Sequence, residues 1–168
     1  MTVVKHKEQR VGVLIDVQNM YHSAKNLYQS RVNFREILKT AVAGRKLIRA
    51  IAYVISTETG EEKQFFEALV RLGIETRMKP LKTFYGGAKK ADWDVGMAID
   101  AVRMSNFLDV VVIISGDGDF IPLVEYLKNQ GRQVESIAFG KSCSADLKNT
   151  VDDFVDLDEG AEQYLLKR

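Results

Sequence analysis

Short runs of β-branched and aliphatic residues alternate along the chain with longer stretches in which apolar residues recur every three or four positions. The run VGVLID at 11–16 predicts a buried strand ending on a carboxylate. Residues 19 to about 29 predict a helix, and Asn33 has the character of an N-cap for a second helix running to about 43. KLIRAIAYVI at 46–55 predicts the second strand. A helix is expected at 61–72, where Phe65, Phe66, Leu69, Val70 and Leu72 fall at helical spacing and Gly73 supplies the stop. Residues 74–78 predict a third strand, followed by an irregular Lys- and Gly-rich loop through Lys90. A long helix over 92–108 leads into DVVVII at 109–114, a strand apolar on both faces. The turn SGDGD, a helix at about 120–130 ending at Gly131 and a strand at 133–138 come next. A short helix near 145–151, an extended piece at 154–157 and a C-terminal helix at about 159–167 complete the pattern.

Strands that alternate with crossover helices imply an α/β fold, a three-layer α/β/α arrangement around a mainly parallel, Rossmann-like sheet. Right-handed crossovers put the C-terminal end of every strand on one edge, and such sheets bind ligands at that edge where the winding reverses. The 168 residues read as a single domain with its core at about 10–157, and no internal repeat, linker or low-complexity segment interrupts it.

Composition narrows the function classes. Hydrophobic residues are 46% and charged residues 28%, the balance of a globular chain rather than a disordered one. With 24 basic against 23 acidic side chains the net charge is +1, so a nucleic-acid claim has to rest on local clusters. The single cysteine, Cys143, excludes a disulfide framework and a Cys-rich zinc site, fits a reducing compartment, and is expected to be an inert buried thiol. The longest aliphatic run, five residues from Val110 to Ile114, is far too short to span a membrane, and MTVVKHKEQR carries no signal-peptide core. The expectation is a soluble, cytoplasmic protein without a membrane partner; a homodimer is left open.

Four carboxylates fall where this geometry collects side chains. Asp16 ends the first strand, with Asn19 three residues on; Asp117 and Asp119 follow the VVVII strand in SGDGDF, after Ser115; Asp94 lies at the start of the long helix. Hard oxygen ligands converging from three chain segments are what Mg²⁺ or Mn²⁺ requires. Asp and Asn after a strand also serve as helix caps, a reading that competes most strongly for Asn19 and Asp119. Asp16, Asp94 and Asp117 together favour a site, because three carboxylates on one edge repel unless a cation offsets them. Asp92 remains a rival to Asp94 and a candidate N-cap, whereas Asp100 lies about 9 Å further along the helix and is expected to pair with Arg103.

VGVLIDVQNMY, KKADWDVGMAIDAV and VVVIISGDGDFIPLVEYLKNQGRQVESIAFG resemble the NYN domain, of the LabA-like group, within the PIN-like nuclease superfamily. The resemblance extends over about residues 10–157. It implies a PIN-like sheet and an acidic Mg²⁺ or Mn²⁺ site used for RNA hydrolysis. Position by position it selects Asp16, Asn19, Asp94, Asp117 and Asp119, with Ser115 in support. In such a site a bound metal lowers the pKa of water and neutralises charge on the scissile phosphate. One departure stands out: the family's Lys-Gly-hydrophobic-Asp stretch before the long helix reads Lys89-Lys90-Ala91-Asp92-Trp93-Asp94 here. The expected function is a metal-dependent ribonuclease; a non-catalytic RNA-binding or regulatory module of the same fold is the alternative.

Between 76 and 91 the chain carries Arg77, Lys79, Lys82, Lys89 and Lys90 with no acid among them, plus Phe84 and Tyr85. Cations beside aromatics suit a single-stranded RNA, whose phosphates pair with Lys and Arg while its bases stack. Lys79, Lys82, Lys89 and Lys90 are therefore the candidate RNA contacts. Arg45, Lys46 and Arg49 read as ordinary surface. Trp93 reads as packing, His6 and His22 lack the spacing of a zinc site or triad, and Gly140-Lys141-Ser142 lacks that of a P-loop.

Overall fold

The computed structural model describes residues 3–57, 62–83, 89–90 and 92–167, with the backbone alone at 82–83 and 89–90. The aliphatic runs form six parallel strands: β1 (Arg10–Asp16), β2 (Lys46–Ser56), β3 (Glu75–Pro80), β6 (Val110–Ile114), β7 (Gln133–Ala138) and β8 (Asp153–Asp156). Their order is β3-β2-β1-β6-β7-β8. The chain winds outward from β1 to β3, then crosses back to β6 and winds the other way. The reversal lies between β1 and β6, whose registers pair Ile15 with Ile114.

Alternating side chains on the strands build a core on each face. Val11, Val13 and Ile15 of β1, Ala50, Ala52 and Val54 of β2, and Val110, Val112 and Ile114 of β6 pack under helices α1 (Val17–Tyr28), α2 (Phe34–Val42) and α3 (Lys63–Arg71). Leu14, Ile51, Tyr53, Val111 and Ile113 face α4 (Asp94–Ser105), α5 (Ile121–Asn129) and α6 (Ala145–Thr150). All five β6 side chains are buried, each worth about 1.5–3 kcal/mol of apolar transfer. This double burial explains why DVVVII shows no polar alternation. Gly12 lies in a tight gap on the second face, where a Cβ would stand 2.4 Å from Leu108 Cδ1.

Several elements differ from the sequence expectation. The Lys-rich loop contains a two-stranded antiparallel ribbon, β4 (Lys82–Thr83) and β5 (Lys89–Lys90); Phe84 and Tyr85 lie outside the described residues. The C-terminal helix is a single turn, α7 (Ala161–Tyr164), because the following residues extend to pair with the chain. Leu165 bridges Val32, and Leu166 N–H donates to the Arg31 carbonyl at 2.8 Å. A 3₁₀ turn at Gly118–Phe120 precedes α5.

Arg45 corrects the reading of the first basic cluster as surface. It is buried, and its guanidinium forks onto Glu135 of β7, Nη1 to Oε2 at 2.8 Å and Nη2 to Oε1 at 2.9 Å. Its other donors reach the carbonyls of Ala41 and Val42 and the Gln9 side-chain oxygen. Burial alone would raise the Glu135 pKa, but hydrogen bonds from Arg45 and Gln133 outweigh it and hold the carboxyl below its ordinary value. Lys46 and Arg49 do lie on the surface, paired with Glu8 and Glu75.

Candidate metal centre

Three chain segments meet at the C-terminal edge of the sheet where the winding reverses. Asp16 is the last residue of β1, Ser115-Gly116-Asp117 follow β6, and Asp94 opens α4. One carboxylate oxygen from each of Asp16, Asp94 and Asp117 lies within 4.8 Å of the other two. Such a group of hard anionic oxygens fits Mg²⁺ or Mn²⁺ in donor chemistry and in reach.

Local hydrogen bonds hold the triad in place. Asp16 caps α1, its Oδ1 accepting from Asn19 N–H at 3.2 Å, while its Oδ2 accepts from the Ser115 hydroxyl at 3.0 Å. Asn19 Oδ1 in turn accepts from Gly116 N–H at 3.0 Å, tying the first turn of α1 to the β6 loop. Asp117 caps the 3₁₀ turn by accepting from Asp119 N–H at 2.9 Å, and its own N–H donates to Ser115 Oγ at 3.2 Å. Capping therefore falls to Asp16 and Asp117, not to Asn19 and Asp119. The two roles are compatible, because an ionised carboxylate offers about four acceptor positions. Behind the loop, a Cβ at Gly116 would come within 3.0 Å of Cys143 Cα, so glycine permits the close approach. Cys143 itself is half-buried rather than fully buried, and burial pushes its thiol pKa up.

Asp94 is positioned through its neighbour. Trp93 packs on Tyr53 with ring centroids 5.5 Å apart, and its indole N–H donates to the Val54 carbonyl at 2.9 Å. Trp93 thus packs as expected from the sequence. Asp92 accepts from Asp94 N–H at 3.2 Å but is not the helix N-cap residue, which is Trp93. Asp100 does not pair with Arg103. It is buried one layer below, accepting from the Tyr53 hydroxyl at 2.7 Å and standing 3.3 Å from Arg77 Nε. Burial, with the Asp100 carboxylate adding to it, raises the Tyr53 pKa far above its ordinary value, so the phenol stays a donor.

The electrostatics are those of carboxylates crowded together. Partial burial first, then Asp117, Asp16, Asp92 and Asp119, push the Asp94 pKa from 3.8 up to about 6. Burial also raises Asp16; the Asn19 N–H and Ser115 hydroxyl offset part of this, and Asp117 and Asp92 add to it. Asp119 is exposed and lies outside the three-oxygen group, although its charge reaches Asp94.

The candidate RNA contacts divide. Lys79 Nζ donates to the Asp92 carbonyl at 2.9 Å and sits 4.6 Å from the Trp93 ring centroid, so it braces the approach to α4. In the ribbon that precedes α4 in the chain, the Lys82 backbone lies opposite Lys90 and Thr83 opposite Lys89. Sequence reasoning missed Tyr53 and Val54 as supports for Trp93, since nothing in a strand run says which helix start lies over it.

Comparison with known proteins places the chain in a family. The NYN domain profile matches residues 10–158. The chain belongs to the NYN domain family. NYN domains fall within the PIN-like nuclease superfamily, whose nucleases typically depend on divalent metal. The chain is 27% identical over 163 residues to Low amplitude and bright protein LabA of Synechococcus elongatus, covering 91% of this chain and 86% of that protein. It is 26% identical over 157 residues to an uncharacterized protein of Methanocaldococcus jannaschii, covering 90% of this chain and 57% of that one. A crystal structure of a Vibrio parahaemolyticus protein of unknown function superposes with a TM-score of 0.87 at 30% identity, covering 98% of this chain and all of the other. The acidic edge lies at the topological switch point, and no helix among the described residues is long and apolar enough to cross a membrane.

Proposed function

We propose that this NYN domain is a metal-dependent ribonuclease that hydrolyses phosphodiester bonds in single-stranded RNA. The observation that carries the reading is the convergence of Asp16, Asp94 and Asp117 oxygens within 4.8 Å at the β1/β6 switch point. Their donor set fits Mg²⁺ or Mn²⁺, which when bound supplies Lewis-acid polarisation of the phosphate and a more acidic water. Ser115 and Asn19 orient Asp16, because each hydrogen bond removes a rotation the carboxylate would otherwise have. Trp93 does the same for Asp94 through the helix start. Asp119 stands at the exposed rim, where its carboxylate adds negative potential that favours the cation. Lys79 fixes the rim beside Asp94, and Lys82, Lys89 and Lys90 supply positive charge for phosphates.

The test is cleavage of single-stranded and structured RNA and DNA by the purified protein with Mn²⁺, Mg²⁺ or EDTA. Cutting of single-stranded RNA with either metal, abolished by EDTA and by Asp16→Asn, is the expected outcome. RNA binding without cutting under any metal condition would overturn the enzyme in favour of a non-catalytic RNA-binding module, and preferential cutting of DNA would overturn the substrate class.

A further inference from the structure

A second surface, absent from the sequence reading, lies on the other end of α1. A groove of about 360 Å³ is lined by Tyr21, Lys25, Gln29, Ser30, Arg31, Leu166 and Lys167. No carboxylate is in that lining, and Lys25, Arg31 and Lys167 have no acidic partner among the described residues. In a chain of net charge +1, three exposed cations gathered with no carboxylate partner among the described residues mark a place for an anion.

The groove is built, not incidental. Its floor is the α1–α2 connection, onto which the extended C-terminal segment is fastened by the Leu166 N–H bond to Arg31 O at 2.8 Å and the Ser30 hydroxyl bond to Leu166 O at 3.2 Å. That fastening brings Lys167 beside Arg31, from 136 residues away along the sequence. One wall is α1. Tyr21, Lys25 and Gln29 recur every four residues and so share a face. Tyr21 is 48% exposed, its ring edge-on to His22 at 5.5 Å, with Lys25 Nζ over the ring at 5.7 Å from its centroid. An exposed aromatic residue next to a row of cations is the pairing that binds unstacked bases and their phosphates together.

The same helix begins at the metal centre. Asp16 caps it, and along the axis Tyr21 follows by about 8 Å and Lys25 by about 14 Å. We propose that this groove holds the part of a single-stranded RNA that extends beyond the carboxylate crevice, its phosphates on Lys25, Arg31 and Lys167 and a base on Tyr21; the choice of RNA rests on the ribonuclease reading. A strand entering at Asp16 runs along α1 to the fastened C-terminal segment. Duplexes are disfavoured, because a paired base keeps its faces stacked and cannot meet the Tyr21 ring.

Binding of fluorescent oligoribonucleotides of about 4 and about 16 nucleotides, in EDTA so that nothing is cut, tests this. Lys25→Glu, Arg31→Glu and Lys167→Glu together should lower affinity for the longer strand far more than for the shorter. They should also flatten the log-affinity against log-salt slope by about 2. Tyr21→Ala should cost about tenfold, with Tyr21→Phe restoring it. Lys7→Glu, Lys63→Glu and Arg103→Glu together match the charge change elsewhere on the surface and should leave binding near wild type. An unchanged slope in the groove variant, or an equal loss in the matched variant, would overturn the proposal. Photocrosslinking of 4-thiouridine RNA to the wild-type protein provides a reading free of folding effects: adducts on residues 21–31 support the groove, and adducts confined elsewhere overturn it. A wild type that binds through this groove but cuts nothing overturns the ribonuclease reading alone. Cleavage by a protein whose groove variant binds normally overturns the groove alone.

Discussion

Ser115 donates its hydroxyl to Asp16 Oδ2 at 3.0 Å across the seam between β1 and β6, and accepts at 3.2 Å from the Asp117 N–H. One side chain thus sets the spacing of two of the three clustered carboxylates. Ser115 is fully buried, so the bond is not shared with bulk water. Ser115→Ala should leave the fold intact and reduce Mn²⁺ affinity and cleavage by about 10- to 100-fold, the usual cost of losing a partner that orients a ligand. Metal titration with cleavage rates checks it. Wild-type affinity in the variant would show that Asp16 needs no such support.

Replacing the clustered acids one at a time should separate ligands from scaffold. Asp16→Asn, Asp94→Asn and Asp117→Asn should each lower single-turnover RNA cleavage by orders of magnitude while still folding, because Asn keeps shape but not charge. Asp119→Asn should be milder, since that carboxylate is exposed and outside the three-oxygen group. Asp100→Asn should act mainly on stability, through the lost charge opposite Arg77. If Asp92→Asn is dead while Asp94→Asn cuts normally, the ligand on this segment is Asp92.

The raised Asp94 pKa makes the metal-free protein sensitive to pH. The folded state holds the Asp94 proton up to about 6, against an ordinary value of 3.8, so it binds more protons than the unfolded chain in between. This contribution to stability is present below the ordinary value and is lost as pH rises through about 6. After allowance for solvent screening the effect is about 1 kcal/mol, or a few degrees of melting temperature. Asp94→Asn should melt higher than wild type at pH 7 without metal and show a flatter pH dependence. Added Mn²⁺ should close the gap by raising wild type. Melting curves from pH 4 to pH 8 with and without metal decide the matter; identical pH slopes would mean the fold does not hold the Asp94 proton more tightly than the unfolded chain does.

Gly96→Ala should be harmful although alanine favours helices. A Cβ there would stand 2.7 Å from Trp93 Cε3, and Trp93 is pinned by Val54 and Tyr53. Relief requires moving Trp93, and Asp94 with it. A loss of about 1–3 kcal/mol from overpacking should outweigh the roughly 0.5–1 kcal/mol helix gain. Denaturant melts and cleavage rates test this together; a more stable, fully active variant would show that Trp93 yields freely.

The Arg45–Glu135 pair is a stability element remote from the metal centre. Arg45→Met should destabilise the fold, by less than the roughly 3–5 kcal/mol of an uncompensated buried charge, because Gln133 and Lys5 still reach the Glu135 carboxylate. Because the folded Glu135 pKa is lowered, its contribution is present above the ordinary carboxyl value and is lost as pH falls through the folded one. Acid unfolding of the variant should therefore be less steep than that of wild type, as measured by circular dichroism.

What the sequence by itself determined was local in origin. Period-two and period-3.6 patterning, the caps at Asn33 and the stop at Gly73 locate the elements, and parallel winding then sends Asp16, Asp94 and Asp117 to one edge. The short motifs also carry enough order to mark the NYN family. Tertiary structure alone decided which groups touch. Arg45 meets Glu135 90 residues away, and Asp100 meets Tyr53 47 residues away and Arg77 rather than the adjacent Arg103. Asp119 sits two residues from Asp117 yet turns outward, because the cap on its own N–H sets the loop's direction. The C-terminal residues read as helix but straighten to pair with Arg31 and Val32, where backbone groups find partners that periodicity cannot reveal. Charge–charge and hydrogen-bond contacts depend on distance in space, and a linear pattern reports that distance only within one helix turn or one strand.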